Sequence, residues 1–261
     1  MNEQADLPIG IFDSGVGGLT VLHRALKELP HEKFIYYADT DHVPYGIKPK
    51  EHVRNYVLQS VSFLNNIGIK AIVIACNTAT SIAVQELRQF YAFPVLGMQP
   101  AVKPAVERTS GKRVLVLATP LTLREQKFRE LVSRVDNENI VDSIPLPELV
   151  ELAEQFLFDE TTVTMELNKH FEKIDLSSYG TVVLGCTHFV FFKNIISKMF
   201  PPFTNIIDGN EGTVRHLKSV LESKNLLSAS LQKGALTYYR SESLSDAAWF
   251  EMYLKLLDKG N

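Results

Sequence analysis

Apolar and polar positions along the chain fall into two alternating rhythms. Short, almost wholly apolar runs read as strands buried on both faces. They occur at PIGIF (8–12), FIYYAD (34–39), KAIVIA (70–75) and PVLGM (94–98). Between them stand stretches whose apolar residues recur at helical spacing. In LTVLHRALKELP, Leu19, Leu22, Leu26 and Leu29 form one stripe, and Pro30 ends it. KEHVRNYVLQSVSFLNNIG (50–68) predicts a long amphipathic helix stopped by Gly68, and TSIAVQELRQFY (80–91) another.

The rhythm then restarts. RVLVLA (113–118), IVDSIP (140–145), TVVLG (181–185) and NIID (205–208) read as strands. TLREQKFRELVSRV (122–135), PELVELAEQFL (147–157), TTVTMELNKHFEKI (161–174) and VFFKNIISKMF (190–200) each predict one helix. EGTVRHLKSVL (211–221), a strand at ALTYYR (235–240) and a helix around Trp249 close the chain. Doubly apolar strands alternating with helices predict an α/β fold with parallel sheets covered on both faces. In the first half, IGIF leads into Asp13 and, about 60 residues on, IVIA leads into Cys76. In the second, VLVLA leads into Thr119 and, about 65 residues on, VVLG leads into Cys186. Two similar α/β units are expected, with a boundary near GMQPAVKPA, where Pro100 and Pro104 interrupt the pattern.

Composition narrows the class of protein. The chain has 261 residues, 45% hydrophobic and 22% charged, with a formal net charge of −3, so it lacks the basic footprint of a nucleic-acid binder. Its N-terminus has neither the basic start nor the apolar stretch of a secretory signal, and no apolar run is long enough to suggest a membrane span. The two cysteines are too few for a disulfide framework or a four-ligand zinc site, and a reducing cytoplasm is the simplest setting. No metal-binding spacing is present.

The candidate chemistry gathers where ligands bind in open α/β sheets, just past the carboxyl ends of strands. Asp13-Ser14, Cys76-Asn77-Thr78, Thr119 and Cys186-Thr187-His188 all stand there. DSGVGG (13–18) fits a tight turn, a phosphate loop without the full dinucleotide spacing, or an anion or amino-acid site built on free N–H groups. A free cysteine, with pKa about 8.5, is only about 3% thiolate at pH 7, and a helix N-terminus raises that share. The pair could be buried small hydrophobes, a redox dithiol, or two bases on opposite sides of one carbon. The third option inverts a stereocentre without a cofactor. His188 could exchange a proton or orient Cys186, and in HVPYGIKP (42–49) Tyr45 and Gly46 could reach a ligand.

The motifs IGIFDSGVGGLTV, YYADTDHVPYG, ACNTAT, GCTHF and IID occur in order across nearly the whole chain. With them the sequence resembles the glutamate racemases of the aspartate/glutamate racemase superfamily. The resemblance implies cofactor-independent interconversion of L- and D-glutamate, supplying D-glutamate for peptidoglycan. It implies Cys76 and Cys186 as the acid/base thiols, assisted by Asp13 and His188 respectively. Asp13, Ser14, Tyr45, Gly46, Asn77, Thr78, Thr119, Thr122, Thr187 and His188 would contact substrate, with Asp39 and Glu154 in support. Two facing α/β domains related by a pseudo-twofold are implied, 1–97 plus 209–261 and 98–208, with the active site between them. A cytoplasmic homodimer without metal, nucleic-acid or membrane partners is implied as well. Where the family pattern reads Gly, Ser and Tyr, this chain has Ala118, Glu125 and Phe128. An aspartate or hydantoin racemase, or a non-enzymatic cysteine-pair protein, would be the competing readings.

Overall fold

A computed structural model describes residues 3–109 and 111–259. Met1, Asn2, Ser110, Gly260 and Asn261, which fall at or within the expected domain limits, lie outside the described residues. The chain opens with β1 (Ile9–Asp13), α1 (Leu19–Glu28), β2 (Phe34–Ala38), α2 (Lys50–Ile67), β3 (Ala71–Ile74), α3 (Asn77–Phe90) and β4 (Val95–Gly97). It continues with α4 (Val102–Arg108), β5 (Arg113–Ala118), α5 (Pro120–Arg124), α6 (Gln126–Val135), β6 (Val141–Pro145), α7 (Glu148–Glu154) and α8 (Glu160–Phe171). It ends with β7 (Tyr179–Leu184), α9 (Lys193–Met199), β8 (Asn205–Asp208), α10 (Asn210–Ser223), β9 (Leu236–Arg240), β10 (Ser243–Leu244) and α11 (Ala247–Lys259).

Two sheets result. One has six strands in the order β10-β9-β2-β1-β3-β4, and the other has four in the order β6-β5-β7-β8. The orders β2-β1-β3-β4 and β6-β5-β7-β8 are the same, each with its first strand in second place. Every pairing is parallel except β10 on β9, which is antiparallel and only two residues long. β1, β2 and β3 are buried at every residue, as continuous apolar runs require when helices cover both faces. A single core cluster joins residues of both sheets, including Ile9, Tyr36 and Val73 from one and Leu115, Val182 and Leu184 from the other.

Three expected elements come out differently. The helix expected over 122–135 breaks at Glu125, whose φ/ψ of −68°/139° separates α5 from α6. The Glu125 side chain is drawn instead to Lys50 Nζ, 2.6 Å away on the first helix after the Tyr45 loop. The segment expected as one helix over 190–200 is split between a 3-10 turn, Thr187–Phe192, and α9. The proline-punctuated boundary carries a helix, α4. Pro104 falls in its first turn, where a missing N–H costs no intrahelical bond.

Candidate active site

Both cysteines sit where a strand hands over to a helical turn. Cys76 follows β3 and caps α3, and its own Sγ accepts the Ala79 N–H at 3.4 Å. Cys186 follows β7, which occupies in its sheet the place of β3, and precedes the 3-10 turn. Both are free thiols and each is 6% exposed.

Asp13 ends β1 fully buried beside Cys76. Its carboxylate accepts the Gly15 N–H at 3.1 Å and the Thr187 hydroxyl at 3.2 Å, so it ties the first strand to the Cys186 segment. Burial pushes its pKa up to about 6, partly countered by the charge of His188 and the Gly15 N–H. Burial, then the neighbouring Asp13 charge, pushes the Cys76 thiol up to about 12. The Ala79 N–H and the Ser14 side chain pull in the opposite direction. Cys186 also acts on Cys76 electrostatically, so the two sulfurs share one local field.

The Cys186 side is built differently. His188 places Nδ1 3.7 Å from Cys186 Sγ and Nε2 2.6 Å from Glu154 Oε1. Burial disfavours a charged His188, but its hydrogen bonds to Cys186 and Glu154, and their charges, outweigh that. The imidazole is therefore held well above its usual range. Glu154 Oε1 also accepts the Val16 N–H at 2.8 Å, which fastens the end of α7 onto the glycine-rich turn. That turn has no room to spare: a Cβ at Gly17 would sit 2.3 Å from Thr187 Oγ1 and 2.4 Å from His188 Nδ1.

A second polar knot joins the halves near Cys76. The hydroxyls of Thr78, Thr119 and Thr122 lie 2.9–3.0 Å from one another, linking α3 to α5. Gly46 lies against Thr119, where a Cβ would stand 2.4 Å from the threonine Cβ. Tyr45 donates to Asp39 at 2.5 Å. Burial and that carboxylate keep its phenol well above the ordinary range, hence protonated. Asn77 is 4% exposed, and neither polar atom of its amide has a protein partner.

The fold thus gathers Asp13, Ser14, Cys76, Cys186, Thr187, His188 and Glu154 around the thiols, and Tyr45, Gly46, Thr78, Thr119 and Thr122 into the adjoining knot. Asp39 stands behind these. It bonds Tyr45, His42 (2.8 and 3.0 Å) and Ser241 (3.2 Å), and its N–H donates to the Asp13 carbonyl at 3.1 Å. Sequence reasoning missed His42, Ser241, Val16 and Tyr36, whose hydroxyl donates to the Gly15 carbonyl at 2.6 Å. Only His42 carried a signal, its place in the same loop as Tyr45. It also missed a cluster of metal-ligand type, Glu148, Glu166 and His170, whose ligand atoms lie within 4.8 Å of one another on α7 and α8.

The model of a family described as Asp/Glu/hydantoin racemase matches residues 13–217. The chain is 56% identical to the glutamate racemase of Halothermothrix orenii over 249 residues, 95% of this chain and 98% of that one. It is 47% identical to glutamate racemase 2 of Bacillus subtilis, over 97% of this chain and 96% of that one. The crystal structure of Escherichia coli glutamate racemase in complex with L-glutamate superposes with a TM-score of 0.81 at 30% identity, covering 97% of this chain and 95% of that one. The strand order repeated in two sheets, the paired thiols and these likenesses lead to one conclusion: the chain belongs to the Asp/Glu/hydantoin racemase family.

Proposed function

We propose that this protein is a cofactor-independent glutamate racemase in which Cys76 and Cys186 work from opposite faces of the substrate Cα. The observation that carries the reading is positional. The two thiols leave equivalent strands, β3 and β7, of two sheets with the same strand order, and each has its own proton-handling partner. Glutamate as substrate follows from the relatives that bear that name.

Each turnover takes one proton from one face of Cα and delivers one to the other face. One sulfur, as thiolate, takes the α-hydrogen, and the electron pair of the broken C–H bond stays on the substrate as a carbanion. The opposite thiol then gives its proton to the other face, and the C–H bond re-forms with inverted configuration. Cys76, with its pKa near 12, would cost about 7 kcal/mol to ionise at pH 7, so it rests as the thiol and is the donor for one direction. Protonated His188 faces Cys186 and can return a proton to it, while Asp13, near 6, can do the same for Cys76. The unpartnered amide of Asn77 and the hydroxyls of Thr78, Thr119, Thr122 and Thr187 suit the ammonium and carboxylates of the substrate. Ser14, Tyr45 and Gly46 complete that contact set, with Asp39 and Glu154 supporting it from behind.

We take 1–97 with 209–261 as one domain and 98–208 as the other, a division supported by strand membership in the two sheets. The free thiols suit a reducing cytoplasm. Among the described residues no helix is long and apolar enough to cross a membrane. A homodimer supplying D-glutamate for peptidoglycan completes the proposal, and sedimentation equilibrium tests the dimer. The activity is tested by circular dichroism of D-glutamate incubated with the protein. The signal should decay to zero, and it should persist with Cys76→Ala or Cys186→Ala. A signal unchanged by the intact protein, while D-aspartate or a hydantoin loses its own, would move the assignment to a different racemase.

A further inference from the structure

A buried hydroxyl beneath the glycine-rich turn has no part in the chemistry described above. Tyr36 of β2 is fully buried, and its ring packs edge-on against Phe250 with centroids 5.5 Å apart. Its hydroxyl donates to the Gly15 carbonyl at 2.6 Å. Burial, then the nearby charge of Asp13, holds the phenol well above its ordinary range, so it stays protonated and can only be the donor to that carbonyl.

The peptide it holds reaches toward the other thiol. The Gly15 carbonyl and the Val16 N–H are the two ends of one planar trans unit, so they point in opposite directions. At the far end, the Val16 N–H donates to Glu154 Oε1 at 2.8 Å, and the same oxygen lies 2.6 Å from His188 Nε2. His188 Nδ1 in turn faces Cys186 Sγ at 3.7 Å. This position needs a restraint from outside the turn. A Cβ at Gly15 would sit 1.8 Å from Glu154 Oε1, so only glycine admits the carboxylate there. Glycine is also the residue that restrains its neighbouring peptides least. Gly15 is buried, and a buried carbonyl without a donor is costly, so the Tyr36 bond selects one orientation of the peptide.

We propose that Tyr36 is a positioning residue for the Cys186 half of the reaction: it pins the Gly15–Val16 peptide so that the Val16 N–H holds Glu154 against His188. The inference rests on the racemase reading of the site. Tyr36 comes from the six-stranded sheet that carries Cys76, so one sheet sets the proton-handling partner of the thiol on the other. The titratable groups around this relay are Asp13, Glu154 and Cys76 facing Tyr36, and Cys186, Glu154 and Asp13 facing His188.

The test is Tyr36→Phe in the full-length protein, which removes one oxygen and keeps the ring on Phe250. Its far-ultraviolet circular dichroism should match that of the parent. With D-glutamate as substrate, kcat should fall about tenfold or more while KM stays within about twofold, as loss of positioning without loss of binding predicts. The alkaline limb of the pH–rate profile should move about half a unit or more toward acid, because Glu154 holds protonated His188 less firmly. Adding Tyr36→Phe to Glu154→Gln should move that limb no further, since the relay is already cut. Without substrate, the Val16 amide should exchange its hydrogen about tenfold faster in Tyr36→Phe than in the parent, read by NMR. An unchanged kcat, a lower kcat with an unmoved alkaline limb, a further limb shift in the double variant, or an unchanged Val16 exchange rate would overturn the proposal. A variant that did not fold would show a structural role and overturn it as well. The exchange measurement needs no turnover, so failure here is separable from failure of the racemase assignment, which would show as a parent without activity.

Discussion

At the scale of single residues, burial does most of the electrostatic work. Asp13 is buried with a pKa raised from 3.8 to about 6, so folding favours its neutral form. Its contribution to stability is complete below about pH 4 and is lost as pH rises through 6, a swing of up to about 3 kcal/mol. Asp13→Asn, neutral at every pH, should therefore be more stable than the parent in urea at pH 8 and about equal at pH 4, while losing about a hundredfold or more of activity. Equal destabilisation at both pH values would contradict that. Glu154→Gln removes a carboxylate that holds His188 protonated against its burial. The alkaline limb of its pH–rate profile should move about one unit or more toward acid, with the acid limb little changed. Asp13, Cys76, Cys186 and His188 were legible because each stands at or just past a strand end, a place visible in local pattern. Glu154 was known only through family likeness. Its partners Val16 and His188 are distant in sequence, and nothing around PELVELAE marks a residue that fastens a turn.

At the scale of elements, the two halves touch through small residues. A methyl at Gly46 would collide with Thr119, whose hydroxyl both caps α5 and belongs to the threonine knot with Thr78 and Thr122. Gly46→Ala should push α5 from the Tyr45 loop. The expected signature is a KM raised about tenfold, from substrate contacts displaced by a fraction of an ångström, with the thermal midpoint little altered. An unchanged KM would show that this contact does not shape the site. Periodicity found the long helices and the buried strands, but it ran α5 into α6 and the 3-10 turn into α9. In each case a long-range contact decides the break. Lys50 draws off Glu125, Thr187 bonds Asp13, and Thr187 and His188 pack against Gly17. Helical spacing in a window carries no information about such partners.

At the scale of the molecule, the restart of the rhythm at RVLVLA corresponds to a second sheet with the strand order of the first. The later strands β9 and β10 extend only the first sheet, and the edge hairpin they form was not legible, since its register depends on pairing with β2. In the proposed mechanism this duplicated plan gives each face of a substrate carbon its own thiol. The most direct measurement is proton NMR of L-glutamate converted by the protein in heavy water, read early in the reaction. Two thiols acting from opposite faces predict that newly formed D-glutamate carries deuterium at Cα while the remaining L-glutamate keeps its hydrogen. Deuterium appearing equally in both at early times would mean that one base serves both faces, and would contradict the account.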